Sequence, residues 1–119
     1  MLIRETTDDE LLGVRRVLNA GALRVPAGLT EATTIIALAN SPPILGALVL
    51  EGPTITAIAV RPRRRGQGIG TALVEAAAER RVRLVVQFDP SVRPFWAGLG
   101  FTIQPAVGDT RQRLRGVRA

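Results

Sequence analysis

Cysteine, histidine, lysine and tyrosine are all missing from this chain. Without cysteine there is no disulfide framework, no thiolate metal site and no thiol nucleophile. Without histidine there is no serine–histidine triad, no histidine-built zinc site and no imidazole base near neutral pH. Aromatic side chains are scarce, three phenylalanines and one tryptophan, which argues against a stacking platform for nucleic acid. The longest clearly apolar run, "ILGALVL" at 44–50, is far too short to span a bilayer. These absences read as a soluble, cytoplasmic protein with no membrane partner. What remains is 119 residues, enough for one domain over 1–119 that buries about two-thirds of its unfolded surface. Sixteen arginines stand against ten acidic residues, a net charge of +6, and most of them are expected to be solvated surface charges.

Turn residues and hydrophobic spacing divide the chain into elements. "LIRET" opens as a strand, and Thr7 with Glu10 makes a capping box ahead of "LLGVRRVLNAGAL", where Leu11, Val14 and Leu18 recur at helical spacing and Gly21 is a stop. "ATTIIALAN", "ILGALVLE" and "TITAIAV" are β-branched runs separated by "SPP" and "GP". They predict three sequential strands in an antiparallel meander. "GTALVEAAAERR" is an amphipathic helix whose apolar stripe is Ile69, Ala72, Leu73, Ala76 and Ala77, with Glu75 and Glu79 off it. A fifth strand, "RLVVQF", precedes "DPSVRPFWAGLG", a short helix with proline in its first turn and Gly100 just past its end,. "FTIQPAV" and "TRQRLRGV" predict a closing hairpin in which Pro105 marks an edge or bulge,.

The chemistry concentrates in "VRPRRRGQGIGT" at 60–71, where Gly66, Gly68 and Gly70 follow a run of arginines and lead into a helix. The first amide N–H groups of a helix lack intrahelical partners, and the helix dipole places partial positive charge there. Glycines without Cβ atoms let those amides converge on an anion, and phosphate is the first candidate. Two known phosphate motifs do not apply: a P-loop needs lysine, and the dinucleotide fingerprint needs a glycine where Leu73 stands,.

The order "IAVRPRRRGQGIGTALV" resembles the acetyl-CoA-binding segment of the GCN5-related N-acetyltransferase (GNAT) family. Its signature is Arg or Gln, two residues, Gly, one residue, then Gly or Ala, and Arg65, Gly68 and Gly70 fill those places. "FWAGLGF" at 95–101 is similar to the family's short helix ending in Leu-Gly-Phe. The resemblance covers residues 44–101 well and the first strand and helix plausibly. It implies a mixed α/β fold, with a splayed, mostly antiparallel central sheet flanked by helices, in which the fourth and fifth strands part to admit the cofactor. It further implies acetyl-CoA as donor, with pantetheine along the backbone of Ile58, Ala59 and Val60. The pyrophosphate is then expected on the amides of Arg65, Gly66, Gln67, Gly68, Ile69, Gly70 and Thr71, with Arg63, Arg64 and Arg65 supplying charge.

The resemblance also shows where this chain departs. The family commonly protonates the leaving thiolate from a tyrosine, and that place holds Trp96, an N–H donor without a usable acid. The acid role is vacant or filled by water, and Trp96 joins the cofactor-contacting set. Thr54 stands near the family's usual glutamate, which leaves Glu51, Glu31 and Asp89 as the carboxylates that could approach the cleft; Asp89 also stands where the family often positions the pantetheine with an asparagine. N-acetyl transfer to a small amine, peptide or protein is the functional reading, with a non-catalytic acetyl-CoA-binding module that regulates a partner protein as the alternative. Nucleic-acid binding is favoured by charge alone, and a homodimer stays open.

Overall fold

The computed structural model describes residues 1–6, 11–20, 33–38, 44–61, 66–106 and 112–119. Its elements in chain order are β1 (Leu2–Glu5), α1 (Leu11–Ala20), β2 (Thr33–Leu38), β3 (Ile44–Glu51), β4 (Thr54–Val60), α2 (Ile69–Arg80) and β5 (Leu84–Phe88). A 3₁₀ turn (Pro90–Val92), α3 (Arg93–Gly98), β6 (Thr102–Pro105) and β7 (Leu114–Arg118) complete them. The expected helix over "DPSVRPFWAGLG" is therefore two pieces. Asp89 caps the turn by accepting a hydrogen bond from the Ser91 N–H at 2.9 Å, and Gly100 follows α3 with φ of 85°. The expected stops and caps at residues 7–10, 21 and 41–43 lie outside the described residues.

The strands form one sheet in the order β1-β2-β3-β4-β5-β7-β6. Every pairing is antiparallel except β4 with β5. That one parallel pair is joined by α2, since a parallel connection needs a crossover. The closing hairpin forms as expected, and it is β7 that lies beside β5, leaving β6 and its Pro105 at the sheet edge, where a missing N–H costs no ladder bond,.

Strand alternation sends side chains to two layers. Leu45, Leu48, Leu50, Ile55, Leu84, Val86 and Phe88 face α2 and α3, where Ile69, Leu73, Val74, Ala76, Ala77, Trp96 and Phe101 meet them. On the opposite face, Ala47, Val49, Ala57 and Ala59 pack against Val14, Val17 and Leu18 of α1. Val74 joins the buried stripe of α2, whereas Ala72 is only half-buried. A large apolar side chain so buried contributes roughly 1.5–3 kcal/mol, which lets two short helices clamp the sheet from both sides. Ion pairs pin α2 laterally: Arg118 of β7 donates to Glu75 at 2.7 Å, and Arg80 donates to Glu5 of β1 at 3.4 Å.

Candidate functional site

The site begins with one extra residue in β4. Val49 pairs with Ala57 and Leu50 with Ile55, so Thr56 is a bulge between them. Ile55 and Val86 share a face, and the next pairs in that parallel register would be Thr56 with Gln87 and Ala57 with Phe88. Beyond the bulge, however, Ala57 faces α1 while Phe88 faces α2. The two strands are out of phase, and a one-residue slip puts every side chain on the wrong face. Pairing accordingly ends at Ile55 with Val86, although β4 runs on to Val60 and β5 to Phe88.

The parted strands enclose a cavity of about 470 Å³ lined by Ile55–Ile58 on one side and Val86–Asp89 on the other, with Val92, Phe95, Trp96 and Arg113 closing it. Its wall is largely apolar. Trp96 is both lining and core: it is 3% exposed and sits among Phe88, Phe95 and Phe101 at ring-centroid distances of 5.7, 4.9 and 5.1 Å. Asp89 is at the rim, its carboxyl held below the ordinary carboxylate range by the Ser91 N–H it accepts.

Phe95 links this cavity to the start of α2, because a Cβ on Gly70 would stand 3.3 Å from its ring. The first helical bond of α2 runs from the Ala72 N–H to the Gly68 carbonyl at 3.0 Å. The preceding amides, through Thr71, therefore have no partner within the helix, and among the described residues no side-chain cap is made at Gly68. Gly66 and Gly68 both hold φ of 79°, a left-handed conformation that L side chains adopt at a cost, and nothing lies within 4 Å of where their Cβ atoms would be,. The arrangement is an open, positively polarised cradle at the end of an apolar slot. An extended ligand with an anionic head and an uncharged arm fits it chemically.

A family model for the acetyltransferase (GNAT) domain matches residues 31–103. The chain belongs to the GNAT family. The GNAT fold is equally plain in solved structures. A GCN5-related N-acetyltransferase from Rhodopseudomonas palustris superposes with a TM-score of 0.80 at 17% identity, covering 99% of this chain and 94% of that one. A Mycobacterium tuberculosis protein in complex with CoA and NLQ gives 0.80 at 16% identity over 98% of both chains. Naa50 of Arabidopsis thaliana, in complex with the bisubstrate analogue CoA-Ac-MVNAL, gives 0.80 at 15% identity over 99% and 97%. No curated protein sequence matches significantly.

Within this GNAT domain the residues read from the sequence fall into groups. Ile58 and Trp96 line the cavity. Ala59 and Val60 continue β4 past the last β5 pair, with the Ala59 side chain turned to α1. Gly66, Gln67 and Gly68 are exposed at the start of α2, followed by Ile69, Gly70 and Thr71. The Ile69 side chain is buried in the core, so only its backbone can serve a ligand. Arg63, Arg64, Arg65 and Glu31 lie outside the described residues. Glu51 and Thr54 pair with each other at the β3–β4 turn, the closed end of the wedge, and neither lines the cavity. Sequence reasoning missed Thr56, Gln87 and Arg113. For Thr56 there was a signal: Ile55 and Ile58 of "TITAIAV" are three apart where a regular strand spaces its core residues by two.

Proposed function

We propose that this domain is an acetyl-CoA-dependent N-acetyltransferase. The carrying observation is the wedge between β4 and β5, opened by the Thr56 bulge and leading by way of Phe95 to the uncapped amides of α2. In this reading acetyl-CoA lies with its pyrophosphate at Gly66–Thr71, with Arg63, Arg64 and Arg65 adding charge. Its pantetheine follows the Ile58–Val60 edge of β4. Family membership supports this, as do neighbours whose structures hold CoA or a CoA-peptide analogue.

The transfer forms a C–N bond between acceptor amine and acetyl carbonyl, breaks the thioester C–S bond, and moves one proton from the amine to the thiolate through water. The chain's residues orient the reactants and exclude bulk water, a contribution that is large in itself. Asp89 is engaged with Ser91, and Glu51 does not line the cavity. Incubation with acetyl-CoA and a panel of amines, with CoA thiol release followed spectroscopically, tests the reading; acetyl-CoA binding without any transfer would favour the second reading. That reading is a regulatory acetyl-CoA-binding module, and it has its own support in the placement of Trp96, rather than an acid, at the cavity wall.

A further inference from the structure

Across β5, β7 and β6, Gln87 pairs with Arg115 and Arg115 pairs with Gln104. Residues in register share a face, so these three side chains form one polar row. The face is fixed by their neighbours. Phe88 packs toward α2, a Cβ on Gly116 would meet Phe88 and Phe101 at 3.2 Å, and Arg118 bonds Glu75 of α2. Gln87 and Arg115 alternate with these and so lie on the α1 side of the sheet. There α1 packs on β3 and β4, and among the described residues no helix covers the row. Gln87 and Gln104 are exposed and Arg115 is half-exposed. The row opens directly into the wedge, because Gln87 and Arg113 line the cavity.

We infer that this row is the acceptor-docking surface and that it selects a peptide-like amine carrying a carboxylate one to three residues from the reacting nitrogen. The inference rests on the transferase reading for the direction of approach: α2 and its cradle occupy one face of the sheet, so the acceptor enters from the other. Charge sets the preference, since Arg115 lies on the strand next to Gln87, one strand spacing or about 4.8 Å away along the sheet,, and the carboxamides of Gln87 and Gln104 can donate to or accept from a peptide backbone. The row spans two strand spacings, roughly 10 Å, a distance that an extended peptide covers in about three residues. Asp89 at the rim is the opposing charge, and it fixes the order: a positive amine passes the rim while the carboxylate trails onto the arginine.

The test is calorimetric titration of the CoA-saturated protein with two tetrapeptide amides, Ala-Glu-Ala-Ala and its neutral isostere Ala-Gln-Ala-Ala, at low ionic strength. The acidic peptide should bind about fivefold tighter, the gain expected of a partly exposed charge pair. Arg115→Gln should erase the preference and Arg115→Glu should reverse it, with CoA affinity unaltered in both. Equal affinities in the parent protein, or a preference that survives Arg115→Glu, would overturn the inference. Acetylation of the same peptides is read separately by mass shift. Charge-selective binding with no acetylated product would keep the surface and sink the transferase reading.

Discussion

Deletion of Thr56 should close the cofactor wedge without unfolding the domain. The bulge places one unmatched residue between the Leu50–Ile55 and Val49–Ala57 pairs. Removing it leaves all six β3–β4 pairs intact, and Ile55, Ala57, Ile58, Ala59 and Val60 then alternate with period two on the faces they already occupy. The side-chain hydrogen bond lost is the long 3.4 Å one that the Thr56 hydroxyl donates to the Val49 carbonyl. Meanwhile β4 comes into phase with β5. Ala57 would oppose Gln87 and Ile58 would oppose Phe88, each on matching faces, and two further ladder bonds would add about 1–3 kcal/mol.

The parent protein at a hundred times the acetyl-CoA dissociation constant should gain about 2.7 kcal/mol, roughly 10 °C in Tm for a domain of this size. The deletion variant should melt near or above the parent without ligand and show no shift with it. Thr56→Val, which keeps the extra residue and loses the hydroxyl, separates spacing from chemistry and should still shift. A deletion variant that folds and gains the full ligand shift would refute the reasoning, since the wedge would then owe nothing to the bulge.

Other substitutions probe the cradle, the core and the charge pairs. Gly68→Val forces a β-branched residue into φ of 79° with no steric clash around it. It should cost the fold about 1–2 kcal/mol while abolishing calorimetric CoA binding, and normal binding would move the phosphate site elsewhere. Trp96→Tyr removes volume from a 3%-exposed position and should lower Tm. If residue 96 adjoins the leaving thiolate, the phenol should raise turnover by a fraction of the roughly 10²–10⁴-fold available to a general acid; a folded variant of unchanged rate excludes that placement. The Glu75 carboxyl is held below its ordinary pKa of 4.5, first by the Arg118 hydrogen bond. Its lowered folded pKa means that the contribution is present above pH 4.5 and lost as pH falls through the folded value,. The pair is half-exposed, so Glu75→Gln should cost only about 0.2–1 kcal/mol at neutral pH, and denaturant titrations of the two proteins should converge in acid.

The elements were legible because each carried a local signal. β-branched runs between proline and glycine turns gave β2, β3 and β4, and the 3.6-residue stripe of α2 showed through because tertiary burial reinforces it. The tight turn into α2 was legible from its glycines, two of which, Gly66 and Gly68, sit at positive φ. What stayed hidden is non-local. That β7 inserts beside β5 depends on pairing between segments about thirty residues apart in the chain, and that pairing creates the Gln87, Arg115, Gln104 row. The buried role of Trp96 could not be separated from a ligand role, and the structure shows that one indole lines the cavity while packing against three phenylalanines. The helix over 90–98 divides because Asp89 claims the Ser91 N–H and a second proline, Pro94, restarts the turn.

The side chains around the wedge also constrain which amine can react. Among the described residues lining the cavity the one carboxylate is Asp89, which is held ionised by the Ser91 N–H and is a correspondingly weak base. The chain has no histidine, cysteine, lysine or tyrosine to replace it. Under the proposed function, and with Asp89 the one carboxylate lining the cavity among the described residues, the acceptor is expected to reach the thioester already neutral. A peptide α-amine, with a pKa of about 7.7–8.0, is roughly one-quarter to two-fifths neutral at pH 7.5, whereas a lysine ε-amine near 10.4 is neutral to only about 0.1%. That alone favours the α-amine by roughly 200-fold or more before any contact is made. The rate should therefore rise with pH through the acceptor's own pKa, and replacing one acceptor by a less basic one should move the inflection with it. An inflection that stayed fixed across acceptors would instead reveal a base belonging to the protein.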